Sequence, residues 1–116
     1  MIPLAMEQKF TVPISDKNQR QLRIGGVIDR VDALPDGSIE IIDYKTGATI
    51  PSQKEVDKNL QMTFYAFAAT MIPEEPFNKL PRDVTLSLYF LDSQEKISTK
   101  RTRADLQRAI DEIFTV

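Results

Sequence analysis

The chain has 116 residues, 41% of them hydrophobic, which is enough for one folded domain with a modest core. It contains no cysteine and no histidine, so disulfides, thiolate metal sites, iron–sulfur clusters and catalysis by a thiol or an imidazole are excluded. Its net charge of −2 provides no global positive field for nucleic acid, and the lack of a long apolar run or a secretion signal predicts a cytoplasmic protein without a membrane partner.

Three strands are predicted in the first half of the chain. Residues 9–14, 22–33 and 39–45 are rich in apolar and β-branched side chains, and the sequence Leu-Pro-Asp-Gly-Ser at residues 34–38 separates the last two. A Pro-Asp-Gly turn between two apolar runs is typical of a β-hairpin, so we expect residues 22–33 and 39–45 to pair antiparallel.

The hairpin turn also predicts which residues face each other. If the turn is centred on Asp36, Asp29 lies opposite Asp43, with the two side chains about 5 Å apart. Carboxylates at this separation repel each other unless a cation lies between them, and a divalent metal would supply that cation. Oxygen ligands without histidine or cysteine favour magnesium or manganese, and the backbone carbonyl of Tyr44 is a candidate third ligand. A register shifted by one residue would turn Asp29 to the other face of the sheet.

Asp43 and Lys45 form an Asp-x-Lys pair at the end of the third strand. Side chains alternate along a strand, so both lie on one face. A carboxylate that binds a divalent cation, beside an ammonium that holds a water or offsets a developing negative charge, is the minimal equipment for metal-assisted hydrolysis of a phosphodiester. The alternative is an ordinary surface ion pair of Asp29 with Arg30 or Lys45, because Asp-x-Lys also occurs by chance.

A long helix is predicted over residues 52–71. Ser52 and Glu55 match a capping box, and Pro73 prevents the helix from continuing. Gln61 and Tyr65 are one turn apart, where an amide and a phenol suit contacts with a phosphate backbone or a metal-bound water. The alternative is a helix-boundary glutamine and a half-buried tyrosine without a functional role. Apolar residues recur at steps of three and four and predict one buried stripe, formed by Val56, Leu60, Phe64, Phe67 and Met71.

The last third of the chain predicts a strand at residues 84–91, a second strand at residues 96–102 that pairs with it, and a helix at residues 104–114. This helix is expected to bury Leu106, Ile110 and Ile113. A basic cluster overlaps the start of the helix and admits two interpretations, a solvated helix start or a local nucleic-acid contact; its members are Lys96, Lys100, Arg101, Arg103 and Arg108.

Three segments together resemble the signature of RecB-like nucleases of the PD-(D/E)xK superfamily. They are Gly-Val-Ile-Asp-Arg-Val-Asp at residues 26–32, Ile-Ile-Asp-Tyr-Lys-Thr-Gly at residues 41–47 and Gln-Met-Thr-Phe-Tyr-Ala at residues 61–66. The resemblance implies that Asp29 and Asp43 bind metal and that Lys45 is the catalytic lysine. It also implies that Gln61 and Tyr65 belong to a motif that supports the active site and contacts nucleic acid.

The resemblance implies an α/β, restriction-endonuclease-like core, in which a mixed sheet of about five strands is packed by a central helix and a C-terminal helix. The implied activity is magnesium- or manganese-dependent hydrolysis of DNA phosphodiester bonds by an exonuclease module of a helicase–nuclease in DNA repair or recombination. The alternative from another class is a catalytically silent, nuclease-like scaffold for DNA binding or subunit docking. A generic α/β interaction module is a third alternative if the hairpin register is wrong.

Two departures from the family pattern affect these expectations. Family members usually carry a helix before the first strand, with a histidine or glutamate that helps to bind metal, whereas this sequence begins at the strand. We therefore expect residues 1–116 to form a single nuclease-like domain that lacks this helix and is the C-terminal portion of a larger polypeptide. Glu7 matches a glutamate often found in the family, but we do not assign it the role of the missing residue. The sequence has no cysteine, so no iron–sulfur cluster is expected, unless the cysteines of the iron–sulfur subgroup lie outside these 116 residues.

Overall fold

The protein folds around one mixed β-sheet. The computed structural model describes residues 2–47 and 49–115. The sheet has five strands in the order β1-β2-β3-β4-β5, and only the β3–β4 pair is parallel among the described residues. This confirms the prediction of a mixed sheet of about five strands. The strands are β1 (Ile2–Ser15), β2 (Gln21–Ala33), β3 (Ile39–Lys45), β4 (Val84–Phe90) and β5 (Glu95–Thr99).

The register predicted for the β2–β3 hairpin is confirmed. Arg30 pairs with Ile42, and Ala33 pairs with Ile39, so the turn is centred on Asp36. The backbone amide and hydroxyl of Ser38 donate to the carboxylate of Asp36, as in an Asx turn. Gly37 has a φ of +89°, a backbone conformation that a residue with a Cβ rarely adopts.

The predicted helix over residues 52–71 is in fact two helices. Helix α1 spans Gln53–Asp57 and helix α2 spans Leu60–Met71. The capping box of Ser52 and Glu55 is present at the start of α1. Asn59 then caps α2, because its side chain accepts a hydrogen bond from the Met62 amide at 3.0 Å. An asparagine in extended conformation at this point provides a second helix start where the sequence pattern predicts a continuous helix.

The break between α1 and α2 also changes which residues are buried. Leu60 is 55% exposed and Met71 is 44% exposed, so the predicted stripe is wrong at both of these positions. Val56 and Phe67 are buried as predicted, and Phe64 is partly buried. Helix α2 instead presents a broad buried surface of mostly small and aromatic residues, made of Met62, Thr63, Tyr65, Ala66, Phe67, Ala68 and Ala69.

The C-terminal elements have the predicted types and order, although β5 ends at Thr99 and not at residue 102. A 3-10 helix at Pro81–Asp83 leads into β4, and helix α3 spans Arg103–Ile113 after β5. Leu106 is buried, whereas Ile110 and Ile113 are only partly buried against the core. No helix in residues 2–47 and 49–115 is both long and apolar enough to cross a membrane.

The two faces of the sheet differ in chemistry. One face packs its alternate side chains, among them Ile41 of β3 and Leu86 of β4, against α2 in a single apolar core. The other face carries a polar layer, in which Glu40 accepts hydrogen bonds from Ser87 at 2.6 Å and from Lys96 at 3.0 Å. Alternation along β3 therefore places Asp43 on the face that packs against the helices and Glu40 on the opposite face.

Candidate active site

Asp43 and Lys45 lie together at the carboxyl end of β3. The preceding apolar residues and the parallel pairing with β4 bury this strand, and Asp43 itself is only 4% exposed. The Lys45 ammonium nitrogen Nζ is 2.8 Å from Asp43 Oδ2. The structure thus places these two side chains side by side, as their spacing predicts.

Asp29 reaches the same end of the hairpin from β2. Its Oδ2 accepts a hydrogen bond from the backbone amide of Tyr44 at 2.8 Å, just beyond the last regular pair of the β2–β3 ladder. The carboxylate therefore occupies the place where the ladder would otherwise continue. Arg30 pairs with Asp32 at 2.6 Å, and Lys45 pairs with Asp43. The surface ion pair considered for Asp29 is not formed by either cation.

Tyr65 connects α2 to the acidic residues. Its ring is buried against Phe10, with 6.0 Å between the ring centroids. Its hydroxyl oxygen is 2.8 Å from Asp43 Oδ1 and 3.1 Å from the Val27 carbonyl oxygen. The single phenolic proton is best donated to the carboxylate, which is the nearer and charged acceptor. Burial, the hydrogen bond to Asp43 and the negative charges of Asp43 and Asp29 all raise the pKa of Tyr65. The phenol is therefore a neutral donor near pH 7.

Gln61 lies one helical turn before Tyr65 and contacts the other member of the pair on β3. The Lys45 ammonium donates to Gln61 Oε1 at 3.0 Å. Helix α2 thus places an amide on Lys45 and a phenol on Asp43. Tyr65 is fully buried rather than half-buried, and its hydroxyl has a partner in Asp43.

The oxygen atoms of this cluster suit a hard divalent cation. Asp43 Oδ2 is buried and accepts no hydrogen bond with suitable geometry, although the Lys45 ammonium is close to it. Within the described part of the chain, no group of three or more Asp, Glu, His or Cys residues could hold a metal. Asp29 and Asp43 therefore stay the predicted carboxylate ligands, and carboxylate oxygens are the ligand type that magnesium and manganese prefer. The Tyr44 carbonyl stays a predicted ligand.

The members of the predicted basic cluster lie in different environments. Lys96 pairs with Glu40 on the polar face of the sheet, and Lys100 donates to the Arg82 carbonyl at 2.7 Å. Arg101 is only 4% exposed, so its interpretation as part of a solvated helix start is wrong. No periodic pattern in the sequence distinguishes this buried arginine from its exposed neighbours, and its role emerges only from its contacts.

Known proteins that are similar to this chain include nucleases. Residues 1–115 match the family described as the PD-(D/E)XK nuclease superfamily. The chain is 22% identical, over 112 residues, to an ATP-dependent helicase/deoxyribonuclease subunit of Streptococcus uberis. The alignment covers 97% of this chain and 10% of that protein, so the chain spans about a tenth of its relative's length. The mixed α/β sheet described above has the architecture of a restriction-endonuclease-like core. This chain therefore belongs to the PD-(D/E)XK nuclease superfamily.

Proposed function

We propose that this chain is the catalytic core of a magnesium- or manganese-dependent nuclease that hydrolyses DNA phosphodiester bonds. The observation that carries the proposal is the convergence of four side chains at the end of β3. Asp43 and Lys45 are in contact, Tyr65 donates to Asp43, and Gln61 accepts from Lys45. A carboxylate and an ammonium held in place by fixed hydrogen bonds match the requirements of phosphodiester hydrolysis.

Each side chain has a distinct role in this proposal. Asp29 and Asp43 would hold the cation, with the Tyr44 carbonyl as a further ligand, and a bound divalent cation would stabilise the negative charge that builds up on the phosphate. Lys45 would orient the attacking water and offset that charge. Tyr65 fixes the orientation of the Asp43 carboxylate, and Gln61 restricts the Lys45 ammonium to one side of the site.

The similar streptococcal protein suggests the setting in which the domain acts. Its name describes a helicase and a deoxyribonuclease, and the chain corresponds to a tenth of its length. We infer that the domain works as an exonuclease module within a larger helicase–nuclease that takes part in DNA repair or recombination. A motor domain that delivers the DNA would compensate for the weak net charge of −2.

A catalytically silent scaffold for DNA binding or subunit docking is the second candidate function. The observation in its favour is that the described residues supply two carboxylates and no third acidic, histidine or cysteine ligand beside them. The retention of both aspartates together with Lys45 favours the active nuclease.

Calorimetric titration with Mn²⁺ tests the metal site directly. Asp29→Asn and Asp43→Asn each remove a charge but keep an oxygen for the Tyr44 amide or the Tyr65 hydroxyl. We expect both variants to lose Mn²⁺ binding, whereas Asp111→Asn, the same exchange on the exposed side of α3, should bind like the unchanged chain. Unaltered binding in Asp29→Asn and Asp43→Asn would refute the assignment of the ligands.

Cleavage of linear DNA separates the nuclease from the scaffold. Lys45→Met should retain Mn²⁺ binding and lose cleavage, because the ammonium acts on the water and the phosphate rather than on the metal. If the unchanged chain binds Mn²⁺ and DNA but does not cleave DNA under conditions where it is folded, the scaffold is the better description of this chain. Retained cleavage in Lys45→Met would exclude the role proposed for Lys45.

A further inference from the structure

Arg101 is a buried cation at the junction between β5 and α3. It is only 4% exposed, and all five N–H groups of a guanidinium find acceptors in the structure. Nε donates to the Thr63 hydroxyl at 2.9 Å, and Nη1 donates to the Thr99 hydroxyl at 2.9 Å and to the Lys100 carbonyl at 3.2 Å. Nη2 donates to the carbonyls of Val56 at 3.1 Å and Asn59 at 3.0 Å.

These acceptors are all neutral, which is unusual for a buried arginine. Within residues 2–47 and 49–115, Arg101 forms no direct ion pair. Asp57 reaches it only through the Thr99 hydroxyl, which donates to Asp57 Oδ1 at 2.7 Å. Burial lowers the pKa of Arg101, and the charges of Asp105 and Asp57 oppose this effect. Burial of a cation without a contacting anion lowers the stability of the folded state. The five hydrogen bonds of Arg101 therefore indicate a structural role at this position.

The carbonyl acceptors of Arg101 lie at the break between α1 and α2. Val56 belongs to the last turn of α1, Asn59 is the N-cap of α2, and Thr63 lies in the first turns of α2. Gln61 therefore stands between two residues that the same guanidinium holds. Tyr65 follows Thr63 by two residues on the same helix. Gln61 and Tyr65 lie on the first turns of one hydrogen-bonded helix, so the position of this junction determines where both side chains lie relative to β3.

We propose that Arg101 is a positioning residue of the candidate nuclease site, which fixes the α1–α2 junction so that Gln61 and Tyr65 meet Lys45 and Asp43. Among the described residues, the hydrogen-bond partners of Arg101 include none of these four side chains. It acts through the backbone at Val56 and Asn59 and through the Thr63 hydroxyl. The catalytic part of this inference rests on the proposed nuclease function, whereas the placement of α2 does not.

A lysine could not replace this residue. An ammonium offers three donors, whereas the guanidinium presents five in a fixed planar array. At least two of the five acceptors would lose their hydrogen bond in Arg101→Lys, and the buried carbonyls of Val56 and Asn59 would be among the candidates.

The test compares Arg101→Met with Arg103→Met, a matched loss of charge at an exposed residue two positions away. Nuclear Overhauser effects between the rings of Tyr65 and Phe10, and between the side chains of Gln61 and Lys45, report the placement of α2 in the folded, metal-free chain. We expect both to weaken in Arg101→Met and to persist in Arg103→Met. Thr63→Val removes the hydroxyl that accepts from Arg101 and donates to the Asn59 carbonyl, and it replaces Arg101→Met in the comparison if that variant does not fold.

The kcat of Arg101→Met distinguishes a positioning role of Arg101 from a role in stability alone. If the chain cleaves DNA, Arg101→Met should reduce kcat roughly tenfold, as the loss of an outer-shell hydrogen bond does. The same exchange in a background that carries both Gln61→Ala and Tyr65→Phe should reduce kcat little further, because both contacts that Arg101 positions are already absent. If the chain does not cleave DNA, the nuclease proposal fails while the Overhauser effects still decide the placement of α2. Unchanged Overhauser effects in a folded variant, with only a lower Tm, would overturn the inference.

Discussion

Tyr65 links the stability of the domain to the ionisation of the site. Its hydroxyl donates to Asp43 in a buried setting, and Asp43 must stay charged to hold a cation. Removing the hydroxyl leaves Asp43 Oδ1 without this donor, which typically costs about 2 kcal/mol of stability for a charged acceptor. The side chain therefore has a structural effect that can be measured without any assay of cleavage.

We expect the stability difference between the unchanged chain and Tyr65→Phe to shrink above about pH 10. The pKa of Tyr65 is raised in the folded state, so the unfolded chain loses this proton at a pH where the folded chain still holds it. The folded state then binds more protons than the unfolded state, and the free energy of unfolding falls as pH rises. Below the unfolded pKa the full contribution is present.

Urea unfolding of both chains between neutral pH and the alkaline limit of folding measures this effect. Tyr44 and Tyr89 are present in both chains, so the difference between the chains isolates Tyr65. A difference that stays constant across this range would contradict the buried hydrogen bond between Tyr65 and Asp43.

At the scale of the secondary-structure elements, Asn59 stabilises the junction between α1 and α2 in two ways. Its side chain caps α2, while its carbonyl accepts from Arg101. Asn59→Ala should lower the free energy of unfolding by about 1 kcal/mol through loss of the cap. For a domain of this size, that corresponds to a Tm lower by about 4 °C.

The control for this prediction is Lys58→Ala, at the exposed neighbouring position. We expect its Tm to match that of the unchanged chain, and calorimetry can compare the three proteins at one scan rate. If Asn59→Ala were as stable as Lys58→Ala, Arg101 and the apolar packing of α2 would hold the junction without help from the cap.

The register of the strands is predictable from the sequence of this chain, whereas the placement of α2 is not. The position of Asp29 relative to Asp43 follows from one short turn and the period of two along a strand, so it is predictable from local sequence. The contact between Gln61 and Lys45 depends on where α2 lies, which depends on Asn59 and Arg101. Arg101 and Asn59 are 42 positions apart in the chain, and no local pattern encodes their contact.

For the molecule as a whole, the two faces of the sheet should contribute independently to stability and to the site. Glu40 is buried in the polar layer between Ser87 and Lys96. Glu40→Ala should cost about 2 kcal/mol, because Lys96 and Ser87 lose a charged partner. Mn²⁺ affinity should not change, because Asp29 on β2 and Asp43 on β3 share no hydrogen-bond partner with Glu40 among the described residues.

Chemical unfolding of Glu40→Ala measures the expected loss of stability, and Mn²⁺ titration of the same preparation measures whether the metal affinity is unchanged. Thr85 pairs with Glu40 across the β3–β4 ladder and lies on the same polar face, so Thr85→Ala serves as the control for a change in this layer. A loss of Mn²⁺ affinity in Glu40→Ala would mean that the two faces are coupled through β3.

At the end of the β2–β3 ladder, selection for heat resistance and selection for DNA cleavage should favour different residues. Asp29 captures the Tyr44 amide with its side chain, and Asp43 holds a buried charge where a β-branched residue would pack. In a directed-evolution experiment that rewards heat resistance alone, positions 29 and 43 should therefore accumulate valine or isoleucine. Lines that must also degrade DNA should keep both aspartates and gain their heat resistance elsewhere, as expected where activity and stability compete.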